Sequence, residues 1–332
     1  MSKKKIGIFT ITDALNYGAF YQMFGLYSYL KDQGHEVVLY SGTDSLKRLV
    51  VKYFSPNIRR LIRKTHMRNL FRSDESSLII KRYKGEKLDV AVLGSDEIWN
   101  LDNNSFTHHD YYFGIGVNAT KILAYAPSVG YCSMDTFTQH SQPRNVANLY
   151  SCMVRDKQTE ELAKIVGGNK IAQVVDPTIL YNNWEKHIQK SNMKAPYYLY
   201  YGYDTNPYFK YDLIARSREQ GIKLVSAGYN VHDWCDVNLN VTPFQFLGLI
   251  KASKAFYTST FHGTVMASIL RHPFTVSTKS QKVLDFLSKF SLENHIYSDP
   301  HYEVISISDE SYRKIIESSN HSRKILKNAA ND

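Results

Sequence analysis

Thr258, Ser259, Thr260, Phe261, His262, Gly263 and Thr264 set a histidine and a glycine between an apolar run, Ala255 to Thr258, and a helical pattern, Val265 to Leu270. A strand-to-helix turn is where an α/β protein presents chemistry. The helix start offers free backbone N–H groups and a partial positive charge, so an anion can settle beside an imidazole able to move a proton. The same residues also fit an ordinary turn whose glycine relieves the backbone and whose histidine caps or packs.

Two further loops carry polar residues at apparent strand ends. Asn16-Tyr17-Gly18-Ala19 holds one glycine, not the Gly-rich pattern of a dinucleotide site, and no GxxxxGK[ST] occurs elsewhere. Gly94-Ser95-Asp96-Glu97-Ile98-Trp99-Asn100 combines carboxylates, an amide and an indole. That mixture suits sugar hydroxyls and stacking on a pyranose face, although a tryptophan also serves as core.

The elements that must position these loops follow from the apolar runs. Lys5 to Thr10 reads as a strand, Tyr21 to Lys31 as a helix stopped at Gly34, and Glu36 to Tyr40 as a second strand. This strand, helix, strand order predicts a parallel sheet. Leu88 to Leu93, Lys121 to Ala126 and Ile171 to Val175 read as further strands, and Met153 to Val166 as a helical region. After a polar stretch, Tyr181 to Ala195, a second series opens: strands at Tyr197 to Tyr203, Lys223 to Ser226, Ala255 to Thr258 and Pro273 to Val276, with helices at Phe209 to Gln220 and Pro243 to Lys251. Asp309 to Lys327 closes the chain as a charged helix. The expected fold is α/β, with two Rossmann-like domains facing a cleft, divided as 1–190 and 191–332, the closing helix belonging to the second.

The 332 residues and 43% hydrophobic content fit a globular protein of about two domains. No apolar run approaches the roughly 20 residues needed to span a bilayer, and the lysine-led start reads directly into a strand, so an intracellular protein is expected. Cys132, Cys152 and Cys235 lie far apart, which suggests neither a disulfide framework nor a zinc site. No metal is expected.

The net charge of +10 is a local feature. Leu46 to Arg72 contains nine Lys or Arg and no Asp or Glu. Ile58, Leu61 and Ile62 share a helical face there, while Arg59, Arg60, Arg63, Lys64 and Arg68 cover much of the rest. An amphipathic basic helix of this kind suits an anionic membrane surface or a phosphate, and equally a solvated helix packed on its own domain. No helix-turn-helix, zinc-finger or RNA-binding pattern accompanies the charge, so no nucleic acid is expected.

Asn16-Tyr17-Gly18-Ala19 with Gln22, Gly94 to Asn100, Tyr125-Ala126-Pro127-Ser128-Val129-Gly130, Arg155-Asp156, Asp176-Pro177-Thr178 and Phe261-His262-Gly263-Thr264 follow one another in the order seen in polysaccharide pyruvyl transferases. The resemblance runs from about Ile6 to about Asn294 and rests on six motifs in order. It implies a GT-B-like fold and transfer of the enolpyruvyl unit of phosphoenolpyruvate onto a sugar, with a cyclic pyruvate ketal formed and phosphate released. Phosphoenolpyruvate is then a co-substrate and no cofactor is needed.

By that resemblance His262 is the acid that protonates the methylene carbon, and the backbone N–H groups of Gly263 and Thr264, with the Thr264 hydroxyl, receive the phosphate. Better-known members of the family carry an arginine two residues before this histidine, where this chain has Thr260. Arg155 is the first replacement candidate, with Lys282 and Arg271 next. Acceptor binding is expected from the first half, at Asn16, Tyr17, Asp96, Trp99 and Asn100. A galactose- or mannose-containing glycan, polyprenyl-linked in bacteria, is the implied acceptor, and the basic helix would then hold a cytoplasmic enzyme at the inner membrane face. Two other readings share the architecture: a GT-B glycosyltransferase using a nucleotide sugar, and a non-catalytic glycan-binding member.

Overall fold

The computed structural model describes residues 3–41, 58–105, 107–203, 206–298 and 302–331. Strands β1 (Lys5–Phe9), β2 (Glu36–Ser41), β3 (Ile80–Arg82), β4 (Leu88–Leu93), β5 (Ala119–Tyr125), β6 (Ser151–Val154) and β7 (Ala172–Gln173) form one sheet in the order β3-β2-β1-β4-β5-β6-β7. Strands β8 (Tyr197–Tyr201), β9 (Lys223–Ala227), β10 (Val237–Leu239), β11 (Ala255–Thr258) and β12 (Phe274–Val276) form a second, in the order β10-β9-β8-β11-β12. Every pairing is parallel. Strands covered on both faces are largely apolar, and β6 (Ser-Cys-Met-Val) and β11 (Ala-Phe-Tyr-Thr) are wholly buried, the Ser151 and Thr258 hydroxyls donating to the carbonyls of Lys170 and Tyr201.

The helices are α1 (Tyr17–Asp32), α2 (Ile58–Glu75), α3 (Met134–Gln139), α4 (Lys157–Ile165), α5 (Pro177–Leu180), α6 (Pro207–Gln220), α7 (Pro243–Ala252), α8 (Phe261–Ile269), α9 (Gln281–Lys289) and α10 (Asp309–Asn331). Their starts follow the local chemistry. Asn16 caps α1, Asp156 caps α4, and Thr242 with Gln245 makes a reciprocal capping box on α7. The region expected as a helix from Met153 is a strand first: Ser151–Val154 pairs with β5 and β7, and the helix starts only after the Asp156 cap.

The two halves share one core. Tyr17 stacks on Phe246 at 4.2 Å and donates to the Val241 carbonyl at 3.1 Å, and Tyr21 donates to the Pro243 carbonyl at 2.6 Å. Asp74 on α2 accepts from the Phe244 amide at 2.8 Å. The closing helix α10 touches both halves: on the second, Ser311 Oγ donates to the Ser291 carbonyl at 3.1 Å, and on the first, Ser322 Oγ accepts from the Val175 amide at 3.0 Å and Arg323 donates to the Leu180 carbonyl at 2.8 Å.

The basic stretch 46–72 lies partly outside the described residues. Its described part, within α2, buries Met67 and Phe71, while Ile58 and Ile62 stay exposed. Arg63 turns inward and donates to the carbonyls of Gly228 at 3.0 Å and Tyr229 at 3.3 Å. Among the described residues no helix is long and apolar enough to cross a membrane.

Candidate functional site

In an open parallel sheet, ligands bind outside the carboxyl ends of the strands, where neighbouring connections leave in opposite directions. The first sheet has that point between β1 and β4, the second between β8 and β11. The two points face each other. Asn16 follows β1, Asp96 and Glu97 follow β4, and His262 follows β11; together with Ala19 and Lys282 they line a cavity of about 220 Å³. A second, more apolar cavity of about 250 Å³ is lined by Arg155, Asp176, Phe261, Phe286 and Phe290, and shares Lys282 with the first.

The first-sheet loops are bound to one another at these strand ends. Gly94 has φ 121° and lies so close to the Tyr125 carbonyl that no Cβ fits, and Asp96 follows with φ 73°. The Ser128 amide donates to the Asp96 carbonyl at 2.9 Å, and the Ser128 hydroxyl donates to Asp156 at 2.6 Å. Arg155 leaves the end of β6 between them.

At the centre stands a buried ionic cluster. Arg155 Nη1 lies 3.0 Å from Asp176 Oδ2 and 3.8 Å from Asp96 Oδ1. His262 Nε2 lies 3.7 Å from the same Asp176 oxygen. The other Asp176 oxygen accepts from the Thr178 amide at 3.0 Å and the Thr178 hydroxyl at 2.8 Å. Burial alone would raise the pKa of Asp176, but His262, Arg155 and the Thr178 amide outweigh it and hold the carboxyl below its usual range. Burial likewise disfavours the Arg155 cation, and Asp176, Asp96, Asp156 and Glu97 reverse that effect. Arg155 Nη2 and His262 Nε2 are buried without a hydrogen-bond partner among the described residues.

Across the cleft, Lys282 on α9 binds Glu97 Oε1 at 2.6 Å, and Asn100 Nδ2 donates to Glu97 Oε2 at 2.9 Å. Burial works against the Glu97 anion, but Lys282, Arg155 and Asn100 prevail and bring its pKa down to about 2. The Asp176–His262 pair can stabilise an imidazolium, while Lys282 and the unpartnered Arg155 N–H face can take anionic groups. Among the described residues no group of three or more His, Cys, Asp or Glu could hold a metal ion.

The expected site residues therefore separate. His262, Arg155, Lys282, Asp96 and Asn16 come together. Asn100 is fully buried behind Glu97, a supporting position. Tyr17 is buried between the halves, and its hydroxyl is committed to the Val241 carbonyl. Trp99 is no sugar platform: it is wholly buried, stacks on Phe113 and donates to the Tyr112 carbonyl at 2.8 Å. Arg271 lies past the far end of α8 and pairs with Asp309.

Gly263 and Thr264 do not offer free N–H groups. The helix starts at Phe261, so the Gly263 amide donates to the Thr260 hydroxyl at 3.0 Å and the Thr264 amide to the Thr260 carbonyl at 3.1 Å. The Thr264 hydroxyl donates to that same carbonyl at 2.9 Å. Thr260 is thus the cap of α8. Two residues join the site that the sequence reading leaves out of it: Asp176, whose Asp-Pro-Thr motif signals a helix cap, and Gly18, whose absent side chain makes room for the His262 ring.

A profile of the polysaccharide pyruvyl transferase family matches residues 16–278. No curated protein matches the chain in sequence. Among solved structures, a protein assigned as a UDP-N-acetylglucosamine 2-epimerase from Listeria monocytogenes superposes with a TM-score of 0.50 at 10% identity, covering 99% of this chain and 90% of that one. AviGT4, a glycosyltransferase involved in avilamycin A biosynthesis, gives 0.49 at 13% identity, covering 98% and 97%. The epimerase-like structure shares the fold of this chain, an α/β arrangement with two parallel sheets facing a cleft. With most of its length matched by the family profile, the chain belongs to the polysaccharide pyruvyl transferase family.

Proposed function

We propose that this family member moves the enolpyruvyl unit of phosphoenolpyruvate onto two hydroxyls of a galactose- or mannose-containing glycan, forming a pyruvate ketal. The observation that carries the reading is the buried cluster of Asp176, His262 and Arg155 where the two sheets' switch points face each other. The donor carries a carboxylate and a phosphate, and Arg155 Nη2 with Lys282 supplies the cations for them.

In the proposed reaction Asp176 supports a charged His262, which gives its proton to the methylene carbon. The neighbouring carbon becomes electrophilic and bonds to the oxygen of one sugar hydroxyl, whose proton returns to the imidazole. The carbon–oxygen bond to phosphate then breaks, the first sugar oxygen stabilising the cationic carbon. The second hydroxyl oxygen bonds to that carbon, and inorganic phosphate leaves with that hydroxyl's proton. Asn16 and Asp96, on the first-sheet side of the cavity, orient the sugar.

The test is phosphate release from phosphoenolpyruvate with a galactoside or mannoside acceptor, with the ketal identified by mass. Wild-type turnover that His262→Asn abolishes supports the reading. Release of uridine diphosphate from a nucleotide sugar, without consumption of phosphoenolpyruvate, overturns it.

A further inference from the structure

The apolar cavity of about 250 Å³ beside the ionic cluster has no part in the reaction proposed above. Val175, Ile179, Phe261, Phe286 and Phe290 line it together with Arg155. The exposed residues Gln173, Lys282 and Lys289 also belong to its lining, so it opens to solvent on their side. Phosphoenolpyruvate is small and doubly anionic, with no apolar body to set against these phenyl rings. The cavity is built for a different molecule.

The rings form a continuous series that ends on the guanidinium. Arg155 Cζ lies 5.3 Å from the Phe261 ring centroid, Phe261 meets Phe286 edge to face at 5.8 Å, and Phe286 meets Phe290 at 5.0 Å. Arg155 spends Nη1 on Asp176 and Asp96, while Nη2 is buried with no hydrogen-bond partner among the described residues. A buried donor left unpaired is costly, and an acceptor oxygen brought in by a ligand removes that cost. The inner carboxylates are already committed: Asp176 to Arg155 and Thr178, Asp156 to Thr159 and Ser128. Asp285, the other carboxylate of the lining, is exposed, and Lys157, Lys282 and Lys289 add cations to that of Arg155. An apolar wall ending in an unsatisfied guanidinium fits an anion that carries a ring.

We infer that this cavity binds a small aromatic carboxylate, its carboxylate on Arg155 and its ring among Phe261, Phe286 and Phe290, and that the bound molecule inhibits the enzyme. Inhibition follows from shared cations. Lys282 lines both this cavity and the His262 cavity, and Arg155 is the buried cation assigned to the donor. Ligand and phosphoenolpyruvate therefore exclude each other. Binding stands on the geometry of the cavity alone; the exclusion rests on the function proposed above.

The test is calorimetric titration of the full chain, at fixed ionic strength, with 3-phenylpropionate, with propionate, which lacks the ring, and with 3-phenylpropanol, which lacks the charge. 3-Phenylpropionate should bind at least about tenfold more tightly than either. Phe286→Leu should weaken it at least about threefold and leave propionate unchanged. Should Phe286→Leu fail to fold, Lys289→Glu, at an exposed position, should weaken 3-phenylpropionate at least about threefold and leave 3-phenylpropanol unchanged. At saturation 3-phenylpropionate should abolish phosphoenolpyruvate binding and phosphate release. Equal affinity for the three probes, a preference that survives Phe286→Leu or Lys289→Glu, or simultaneous binding with phosphoenolpyruvate overturns the inference. Selective binding of 3-phenylpropionate by a protein that neither binds nor turns over phosphoenolpyruvate sinks the proposed reaction and leaves the cavity's ligand standing. Turnover of phosphoenolpyruvate undisturbed by 3-phenylpropionate does the reverse.

Discussion

Gly18→Ala isolates the placement of His262 from the rest of the fold. Gly18 is the second residue of α1, and its amide donates to the capping Asn16 at 2.7 Å. An alanine suits that helix, where it is worth about 0.5–1 kcal/mol over glycine. Yet the new Cβ would stand 2.5 Å from His262 Cγ and 2.8 Å from its Cβ, and closer still to Nδ1. Carbon contacts settle at roughly 3.5–4.0 Å, so the imidazole must withdraw by about 1 Å and turn relative to Asp176. Overpacking of this kind costs about 1–3 kcal/mol, and the helix gain offsets part of it, leaving a net cost of about 1–2 kcal/mol. Misplacing a reacting group by about 1 Å costs about 10²-fold in rate. Phosphate release from phosphoenolpyruvate at saturating acceptor, measured beside thermal melting, should show kcat down about 100-fold with Tm lowered by only a few degrees. A variant that melts normally and keeps kcat within about threefold of wild type would refute the assignment of chemistry to this histidine position.

Asp176→Asn removes the counter-charge of a buried guanidinium and should cost about 3–5 kcal/mol, with kcat falling about 10²–10⁴-fold. Because the native carboxyl sits below its ordinary value of 3.8, its stabilisation is complete above that value and is lost as pH falls through the depressed one. The gap between wild type and variant in urea titrations should therefore narrow on acidification, and an equal gap at pH 7 and pH 2 contradicts the pairing. Glu97→Gln follows the same sign: a shift from 4.5 to about 2, at about 1.4 kcal/mol per unit, is worth about 3 kcal/mol at neutral pH and should vanish by pH 2. Arg271→Ala breaks an exposed pair with Asp309; kcat and KM should stay within about twofold and stability within about 1 kcal/mol, and a larger kinetic loss would return Arg271 to the site.

The parts of the site legible in sequence are those whose chemistry is local. Polar residues following apolar runs mark strand ends, so His262, Arg155, Asp96 and Asn16 are visible as candidates, and the alternation of runs yields the two parallel sheets. Asp176 reads as a helix cap followed by proline, which it is, through one oxygen. Nothing local announces that its other oxygen faces Arg155 and His262, because those contacts exist only once β6 and α8 are placed. Trp99 and Tyr17 mislead for the complementary reason. Each carries a polar atom compatible with a ligand, and each spends it on a distant carbonyl inside the core. Strands β3 and β10 have three residues each and no period to read, since pairing in a sheet already formed decides them.

Thr260 gives the missing arginine a structural meaning. Where the family pattern has a guanidinium on the second half, this chain has a hydroxyl that accepts from Gly263 and closes the first turn of α8. The Gly263 and Thr264 amides are thereby spent on Thr260 and do not replace the lost cation. The buried cation at the site comes instead from Arg155, on the first half, and the other cation of the second half, Lys282, is bridged to Glu97 of the first. A donor with two anionic groups then has one cation from each half to engage, and taking Lys282 means competing with Glu97 for it. On the function proposed above, a donor that engages Lys282 loosens the Lys282–Glu97 bridge, so donor binding and the contact between the halves become linked.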